Sequence, residues 1–430
     1  MPSPSPRSQP PPRRGLMQRV ILVSNLLLAS LCLITAAVLI YAQRVVGDQR
    51  KIAPIENLAK VHLPEGLSPQ ETFPVADPAA KNFLITGADN NACVDPNSPF
   101  AAAFGDRSDA GNRSDTIMIM RVDPATSQAA ILSLPRDLWV PISGTKTTSR
   151  INSAYVKDDP RLLIQTIYDN FKIGIDHFIQ VDFCAFKTLV DAVSGVGVPF
   201  EFASRDTHTG FFVPEPGCFN FSGDHALAYV RSRHYETFDP NTDKWVEDQF
   251  YDLGRISRQQ DFIRRVIAKA LNTGAFNPSF ARGIINTAEK YVVTDQELTV
   301  ARLLEFAGVI QNLNPAQLQT YQIEVERQII DDNDVLIPKV GSRNMRAVLA
   351  IFRGEAALAA PPQLTTDGTS PSATFPAATT LPPTASTSAP SSANGPTTTA
   401  STVPPTTVAA ASPDVVENSK GVVPPKDVLC

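Results

Sequence analysis

The feature that most constrains this 430-residue chain is the run Val20–Ala42, which contains no charged side chain. At about 1.5 Å of rise per residue, a helix of that length covers the roughly 30 Å hydrocarbon layer of a bilayer. Residues 1–19 are rich in Pro, Ser and Arg and carry Arg7, Arg13, Arg14 and Arg19 with no acid. Such a flank holds the N-terminus in the cytoplasm. The chain is therefore expected to have a cytoplasmic N-terminus at 1–19, one transmembrane helix at 20–42, and everything after about residue 43 outside. Arg44, Arg50 and Lys51 dilute that charge bias. A cleaved signal peptide competes with this reading, but the run is long for one and Gln43-Arg44 is not a small-residue cleavage site. A lipoprotein signal at Cys32 is weakened by Leu31 before it.

Residues 43–80 contain Pro54, Pro64, Pro69, Pro74 and Pro78 and read as an extracytoplasmic stalk. The pattern changes at Lys81. Asn82–Ala88, Thr116–Val122, Ala129–Leu134, His177–Val181 and Val196–Phe200 are short apolar runs bounded by turn residues, which predicts strands. Helical spacing follows Pro160 (Leu162, Leu163, Ile167, Phe171) and recurs at Phe186, Leu189, Val190 and Val193. Gly254–Leu271 predicts a long amphipathic helix, with Ile256, Ile263, Ile267 and Leu271 on one face and Arg255, Gln259, Arg264 and Arg265 elsewhere. Further helices are expected at 279–290, 296–313 and 343–352, with a strand near Thr320–Glu326. Strands alternating with helices give an α/β fold, a layered α-β-α domain with a central mixed sheet, over residues 81–356. Residues 361–430 are about half Pro, Thr and Ser and predict a disordered tail. That tail reads as a spacer or wall-threading segment.

Net charge of −5 argues against a general nucleic-acid binder. Five cysteines without a CxxC pair and only five histidines argue against structural zinc or a redox centre. Cys93, Cys184, Cys218 and Cys430 lie on the side where disulfides persist. Three connectivities are open. Cys184–Cys218 is the favoured pair, because both fall in the dense globular region near strand ends, with Cys430 left unpaired or bonded between molecules.

Arginines and aspartates recur at element ends: Arg113-Ser-Asp115-Thr, Leu134-Pro-Arg136-Asp, Arg150-Ile-Asn, Tyr229-Val-Arg231-Ser-Arg233, and Asp252-Leu-Gly-Arg255 followed by Arg258-Gln259-Gln260. Guanidinium groups match phosphate oxygens bidentately and stay charged at any working pH. Asp89 and Asp115 are hard oxygen donors at apparent strand ends, and Mg²⁺ takes one or two carboxylates plus phosphate oxygens. The set describes a metal-assisted diphosphate site. Taken singly, each Arg–Asp neighbour is equally a surface pair worth no more than about 1 kcal/mol.

Together with Arg150-Ile-Asn-Ser-Ala-Tyr155, Val190-Asp-Ala-Val-Ser-Gly-Val196 and Phe221-Ser-Gly-Asp-His-Ala-Leu-Ala-Tyr-Val-Arg-Ser-Arg233, these blocks resemble, in order, the signatures of the LytR-CpsA-Psr family. The resemblance covers residues 81–270 well, and helices to about residue 355 would complete the domain. It implies a membrane-anchored extracytoplasmic enzyme, a Mg-dependent phosphotransferase (ligase). Such an enzyme moves a glycopolymer from a polyprenyl-diphosphate carrier onto peptidoglycan in cell-wall assembly and leaves polyprenyl phosphate. The same resemblance implies that Arg113, Arg136, Arg150, Arg231, Arg233, Arg255 and Gln259 bind the diphosphate. Asp89 and Asp115 would hold Mg²⁺ (or Mn²⁺), and Asp252 would orient an arginine or help deprotonate the acceptor. Catalytic roles fall to Arg113, Arg136, Asp252 and Arg255, and the isoprenoid would need an apolar cavity.

Three departures accompany the match. Asp89 stands in Thr-Gly-Ala-Asp, Ser194 replaces a glycine, and His234–Tyr251 is a long spacer expected to shape or cover the acceptor cleft. The Pro/Thr tail and cysteine-bearing loops suggest an actinobacterial protein, for which the family analogy points to arabinogalactan. A polyprenyl-diphosphate pyrophosphatase and a non-catalytic wall-binding anchor are the alternatives. The partners implied are the lipid-linked glycopolymer, peptidoglycan and a single-pass cytoplasmic membrane, with no nucleic acid.

Overall fold

The computed structural model describes residues 50–52, 79–89, 92–93, 95–103, 114–273, 291–298, 306, 309, 311–358, 416–426, 428 and 430. The expected membrane span, Arg113, the helix at 279–290, much of that at 296–313 and most of the Pro/Thr/Ser tail lie outside these residues. Among the described residues, no helix is long and apolar enough to cross a membrane.

The first half of the domain contains β1 (Arg50–Ile52), β2 (Lys81–Ala88), β3 (Ile117–Asp123), β4 (Gln128–Ser133), β5 (Trp139–Pro141), β6 (Thr148–Arg150), α1 (Arg161–Phe171), β7 (His177–Asp182) and α2 (Phe183–Ala192). Then come β8 (Val196–Phe200), β9 (Ser204–Asp206), β10 (Phe211–Val213), β11 (Gly217–Phe221), α3 (Gly223–Arg231), β12 (Glu236–Asp239), β13 (Lys244–Glu247) and α4 (Tyr251–Asn272). The chain continues with β14 (Val292–Asp295), β15 (Gln319–Gln322), β16 (Val325–Ile330), β17 (Asn333–Pro338) and α5 (Arg343–Arg353).

The central sheet is mixed, with seven strands in the order β1-β14-β7-β2-β3-β4-β15. Its register explains the layers. Phe178, Leu84, Ile119, Leu132 and Tyr321 are successive partners across five strands. All five project to one face, where Ile164 and Ile167 of α1 and Val348 and Phe352 of α5 cover them. One residue along, Phe83, Met120 and Ile131 form a row on the opposite face, packed by Ile263 and Ile267 of α4 with Leu298, Phe306 and Val309. A period of two along each strand thus feeds two helical layers. Each fully buried aliphatic or aromatic side chain contributes roughly 1.5–3 kcal/mol.

Local signals set the helix ends. Asp182 caps α2 by accepting from the Ala185 N–H at 2.7 Å. Ser342 caps α5 through the Met345 N–H at 3.0 Å, and Gly354 ends it with φ +77°. Ser194 follows α2 at φ +62°, so serine occupies a left-handed turn position there.

A third core lies beside α2 and α3. Phe200, Phe211, Phe221, Tyr229 and Tyr235 cluster with Phe262 of α4. The strand expected at Val196–Phe200 forms, but it pairs with β11 rather than joining the central sheet. Two antiparallel units flank it: the four-stranded sheet β10-β9-β12-β13 and the hairpin β16–β17.

The structure corrects four expectations. Cys184 pairs with Cys93, and Cys218 with Cys430, at Cα separations of 5.7 and 5.6 Å. Cys184 is fully buried in the first turn of α2 whereas Cys218 is exposed on β11, so nearness to strand ends did not bring them together. Within the segment expected as stalk, β1 pairs in parallel with β14. The single strand expected at Thr320–Glu326 is divided between β15, in the central sheet, and β16, in the hairpin.

The fourth correction concerns both the tail and the long helix. Residues 416–430, as far as they are described, form a strap over α4 and the β15 edge. Glu417 is 1% exposed and accepts from the Thr320 N–H at 2.8 Å. Asn418 both accepts from the Gln322 N–H and donates to its carbonyl, each at 2.8 Å. Arg265 donates to the Val428 and Pro425 carbonyls at 2.8 Å. Arg264 and Arg265, expected away from the apolar face of the helix, are therefore buried, as is Arg258; Arg255 and Gln259, expected away from that face too, are buried against other elements. Gly197 makes room for the final link, because a Cβ there would stand 2.6 Å from Cys430 Cβ.

Candidate active site

Asp115 lies just before β3, where the chain is pinned against the end of β2. Gly87 N–H donates to the Thr116 carbonyl at 3.0 Å, and Ser114 Oγ donates to the Gly87 and Thr116 carbonyls at 2.7 Å. A Cβ on Gly87 would lie 3.2 Å from Thr116 Cβ, so glycine permits this approach. Asp89 directly follows β2. Burial first, and then Asp158 and Asp89, push the Tyr155 phenol up, which places Asp89 within electrostatic reach of that ring.

Around Asp115 the fold collects guanidiniums from distant elements. Arg136, after β4, reaches Asp115 Oδ1 at 2.5 Å. Arg231, in the last turn of α3, and Arg233 beyond it lie 3.6 and 3.3 Å from Oδ2. Arg255 of α4 donates to the Asp115 carbonyl at 2.8 Å. Asp252, in the first turn of α4, contacts Arg233 Nε at 3.1 Å and Arg255 Nη2 at 2.9 Å. Both Asp252 oxygens are nonetheless buried without a well-aligned hydrogen bond among the described residues.

Gln259 donates to the Val230 carbonyl at 3.0 Å and Thr116 Oγ1 at 3.3 Å, tying α4 to both neighbours. Arg150 stands one step back. It meets Asp137 Oδ1 at 3.4 Å and the Asp334 carbonyl at 3.1 Å, while Arg136 Nε also contacts Asp137 at 3.3 Å. Of the expected residues, Arg136, Arg231, Arg233, Arg255, Asp252 and Asp115 converge. Gln259 and Arg150 support them from behind.

With Arg150 and Asp137 included, five guanidiniums share the three carboxylates of Asp115, Asp137 and Asp252, leaving an excess of positive charge. Burial, and then neighbouring Arg255, lower the Arg233 pKa to about 10, with Asp252 and Asp115 only partly offsetting them. Burial also opposes the charge on Arg136, but Asp115, Asp137 and Asp252 outweigh it and raise that pKa. A site holding Arg233 this way has unmet demand for an anion.

Beside the cluster opens a cleft of about 470 Å³, bounded by Arg136, Arg233, Tyr251 and Asp252 on one side and by Arg327 and Asp334 of the β16–β17 hairpin on the other. The spacer His234–Tyr251 builds one wall: it folds into β12 and β13 and delivers His234 and Tyr251 to the cleft. Tyr251 adopts φ +40° there, an uncommon conformation for a bulky residue. Sequence reasoning missed Arg327 and Asp334 as cleft residues. A long-range hairpin pairing brings them in, and no spacing signal marks it.

No group of three or more His, Cys, Asp or Glu side chains fit to hold a metal occurs among the described residues. Two carboxylates beside a cluster of guanidiniums match, by their chemistry, the protein share of a Mg²⁺ shell completed by phosphate oxygens.

Comparison with known proteins adds an independent line. The LytR_cpsA_psr family matches residues 50–347. The Halalkalibacterium halodurans polyisoprenyl-teichoic acid–peptidoglycan teichoic acid transferase TagU is 32% identical over 227 residues, covering 52% of this chain and 69% of that protein. Streptococcus mutans biofilm regulatory protein A is 30% identical over 232 residues, 51% of this chain and 52% of its own length. The probable cell wall biosynthesis protein LcpB of Corynebacterium glutamicum is 30% identical over 206 residues, 47% of this chain and 45% of that protein. The match thus spans about half the length of several relatives. A LytR-Csp2A-Psr enzyme structure from Actinomyces oris superposes with a TM-score of 0.49 at 21% identity, covering 71% of this chain and 96% of that one.

Proposed function

The chain belongs to the LytR_cpsA_psr family, and on that premise we propose that it transfers a glycopolymer from a polyprenyl-diphosphate carrier to peptidoglycan. The observation that carries this reading is the convergence of Arg136, Arg231, Arg233 and Arg255 on Asp115 at the edge of the cleft. A diphosphate entering the cleft would take these guanidiniums over from Asp115, exchanging a carboxylate for a more highly charged partner. Relatives named as acting on polyisoprenyl-linked teichoic acid and peptidoglycan support the substrate class.

In the proposed reaction an acceptor hydroxyl attacks the phosphorus that carries the glycan. A new P–O bond forms, the bond to the bridging oxygen breaks, the hydroxyl proton would pass to the Asp252 carboxylate, and polyprenyl phosphate leaves. Phosphoryl transfer of this kind asks the protein for positioning and charge neutralisation. Arg136 and Arg233, half-buried on the cleft wall, would hold the diphosphate oxygens. Asp252 fixes Arg233 and Arg255 relative to one another. Gln259 keeps α4 and the end of α3 in register through the Val230 carbonyl. Asp115 and Asp89 would hold Mg²⁺ (or Mn²⁺), which supplies further neutralisation of phosphate charge. Val20–Ala42 would anchor the domain in the cytoplasmic membrane on its outer face.

The full chain, given a lipid-diphosphate-linked glycan, Mg²⁺ and peptidoglycan, should yield a covalently linked product. Arg136→Ala should lower that yield rate by about 10²–10³, the usual loss when one charge-stabilising donor is removed. Equal rates for wild type and variant would defeat the proposal. Phosphate released to water rather than to peptidoglycan would favour the pyrophosphatase reading instead.

A further inference from the structure

A second cavity of about 390 Å³ opens where the C-terminal strap crosses the β15 edge, lined by Gln322, Glu324 and Lys339 from the sheet side and Asn418 and Lys420 from the strap. It shares Leu253 and Val325 with the arginine-rich cleft, so the two hollows meet at those side chains.

One polar group in its wall is unsatisfied. Gln322 is 2% exposed. Its Nε2 donates to Ser257 Oγ at 2.6 Å and to the Leu253 carbonyl at 3.3 Å. A carbonyl oxygen only accepts, so this contact fixes which end of the amide carries nitrogen. The other end, Oε1, is buried with no hydrogen-bond partner among the described residues. A buried acceptor left unpaired costs about 1–3 kcal/mol, which a ligand N–H or O–H would relieve.

We infer that this cavity is a subsite for the acceptor, a polar glycan–peptide portion of peptidoglycan, on the far side of Leu253 from the diphosphate. The inference rests on the transfer reading above and adds a place for the second substrate. Charge separates the two hollows. The first concentrates guanidiniums and suits a polyanion. The second carries Glu324 with Lys339 and Lys420, so it suits a hydrogen-bonding ligand with little net charge, rich in amide and hydroxyl donors. Contiguity across Leu253 and Val325 lets a hydroxyl of that ligand approach the phosphorus held by Arg136 and Arg233. The strap is part of the site, because the Asn418–Gln322 bonds hold the lining in place.

The test uses the full chain and two probes: a soluble disaccharide–peptide fragment of peptidoglycan and a short-chain polyprenyl diphosphate, each titrated calorimetrically. Wild type should bind both. Gln322→Leu and Lys420→Ala should each weaken fragment binding about tenfold while changing diphosphate affinity less than twofold. Lys420→Ala is the check against misfolding, since its side chain lies at the cavity wall. Variants that bind the fragment as wild type does, a wild type that takes the diphosphate but not the fragment, or a parallel loss of both ligands would overturn the subsite. Failure of the transfer reading looks different: both ligands bind and no linked product forms.

Discussion

Arg258 is fully buried, and several partners meet its charge. Asp248 Oδ2 lies at 2.7 Å, the Ser232 carbonyl at 3.0 Å, the Val422 carbonyl at 3.2 Å, and the Tyr235 ring at 4.3 Å from the guanidinium carbon. Removing one member of such a pair leaves the other charge buried, at a cost of about 3–5 kcal/mol. Arg258→Ala should therefore lower the unfolding free energy by that amount in denaturant titration, and a loss under about 1 kcal/mol would contradict this account. The sequence presents Arg258 in the same run as Arg255 and Gln259 and gives no sign that their roles differ. Arg255 points to the Asp115 cluster while Arg258, one turn along, serves the core. The distinction depends on Asp248, inside the long spacer, and on Val422, 164 residues away, and neither is visible to a local pattern.

At the scale of elements, α3 carries a pH-sensitive position in the aromatic core. His225 lies with its ring 4.0 Å from Phe221, 4.7 Å from Phe100 and 5.7 Å from Phe211. Burial lowers its pKa from 6.5 to about 4, with a backbone hydrogen bond at Phe212 partly opposing. The unfolded chain takes up this proton near pH 6.5 and the folded chain only near pH 4. Stability is therefore fully present above pH 6.5 and falls as pH drops through that window, by at most about 3 kcal/mol. Melting temperatures between pH 7 and 4 should fall, and His225→Phe should flatten the part due to this residue. A variant with an unchanged slope would remove His225 from the explanation.

The same scale shows what patterning can reach. Apolar runs bounded by turn residues located β2, β3, β4 and β7 almost to the residue, because these strands bury side chains on both faces of the sheet. In α4 the apolar row was equally legible, but the opposite row is buried by the strap, and a helix with two covered faces reads from sequence as half solvated. The Arg/Asp blocks located the site because residues at element ends need only their elements placed correctly. Arg327 and Asp334 stayed hidden because their 2.8 Å contact depends on a hairpin register that no motif marks.

For the molecule as a whole, the strap joins parts that composition alone keeps separate. Averaged over residues 361–430, Pro, Thr and Ser dominate, and the average conceals Glu417, Asn418 and Cys430, which engage the sheet, α4 and β11. The Cys218–Cys430 bond spans 212 residues, and closing so long a loop is worth about 3–5 kcal/mol through the unfolded chain. Cys218→Ser paired with Cys430→Ser should lower the melting temperature under oxidising conditions. Adding reductant to wild type should move its transition toward that of the variant, and coincident transitions before reduction would refute a stabilising role.

The placement of these contacts also sets an order of events during synthesis. Arg258 and Arg265 are made more than 150 residues before the carbonyls that cover them on the strap. A growing chain therefore presents a helix whose cationic side lacks part of its cover until residues 416–430 emerge. If the domain matures across a membrane, its opening segments spend the whole passage waiting for this late clasp, and quality control at that stage would meet an exposed row of arginines rather than an exposed greasy surface.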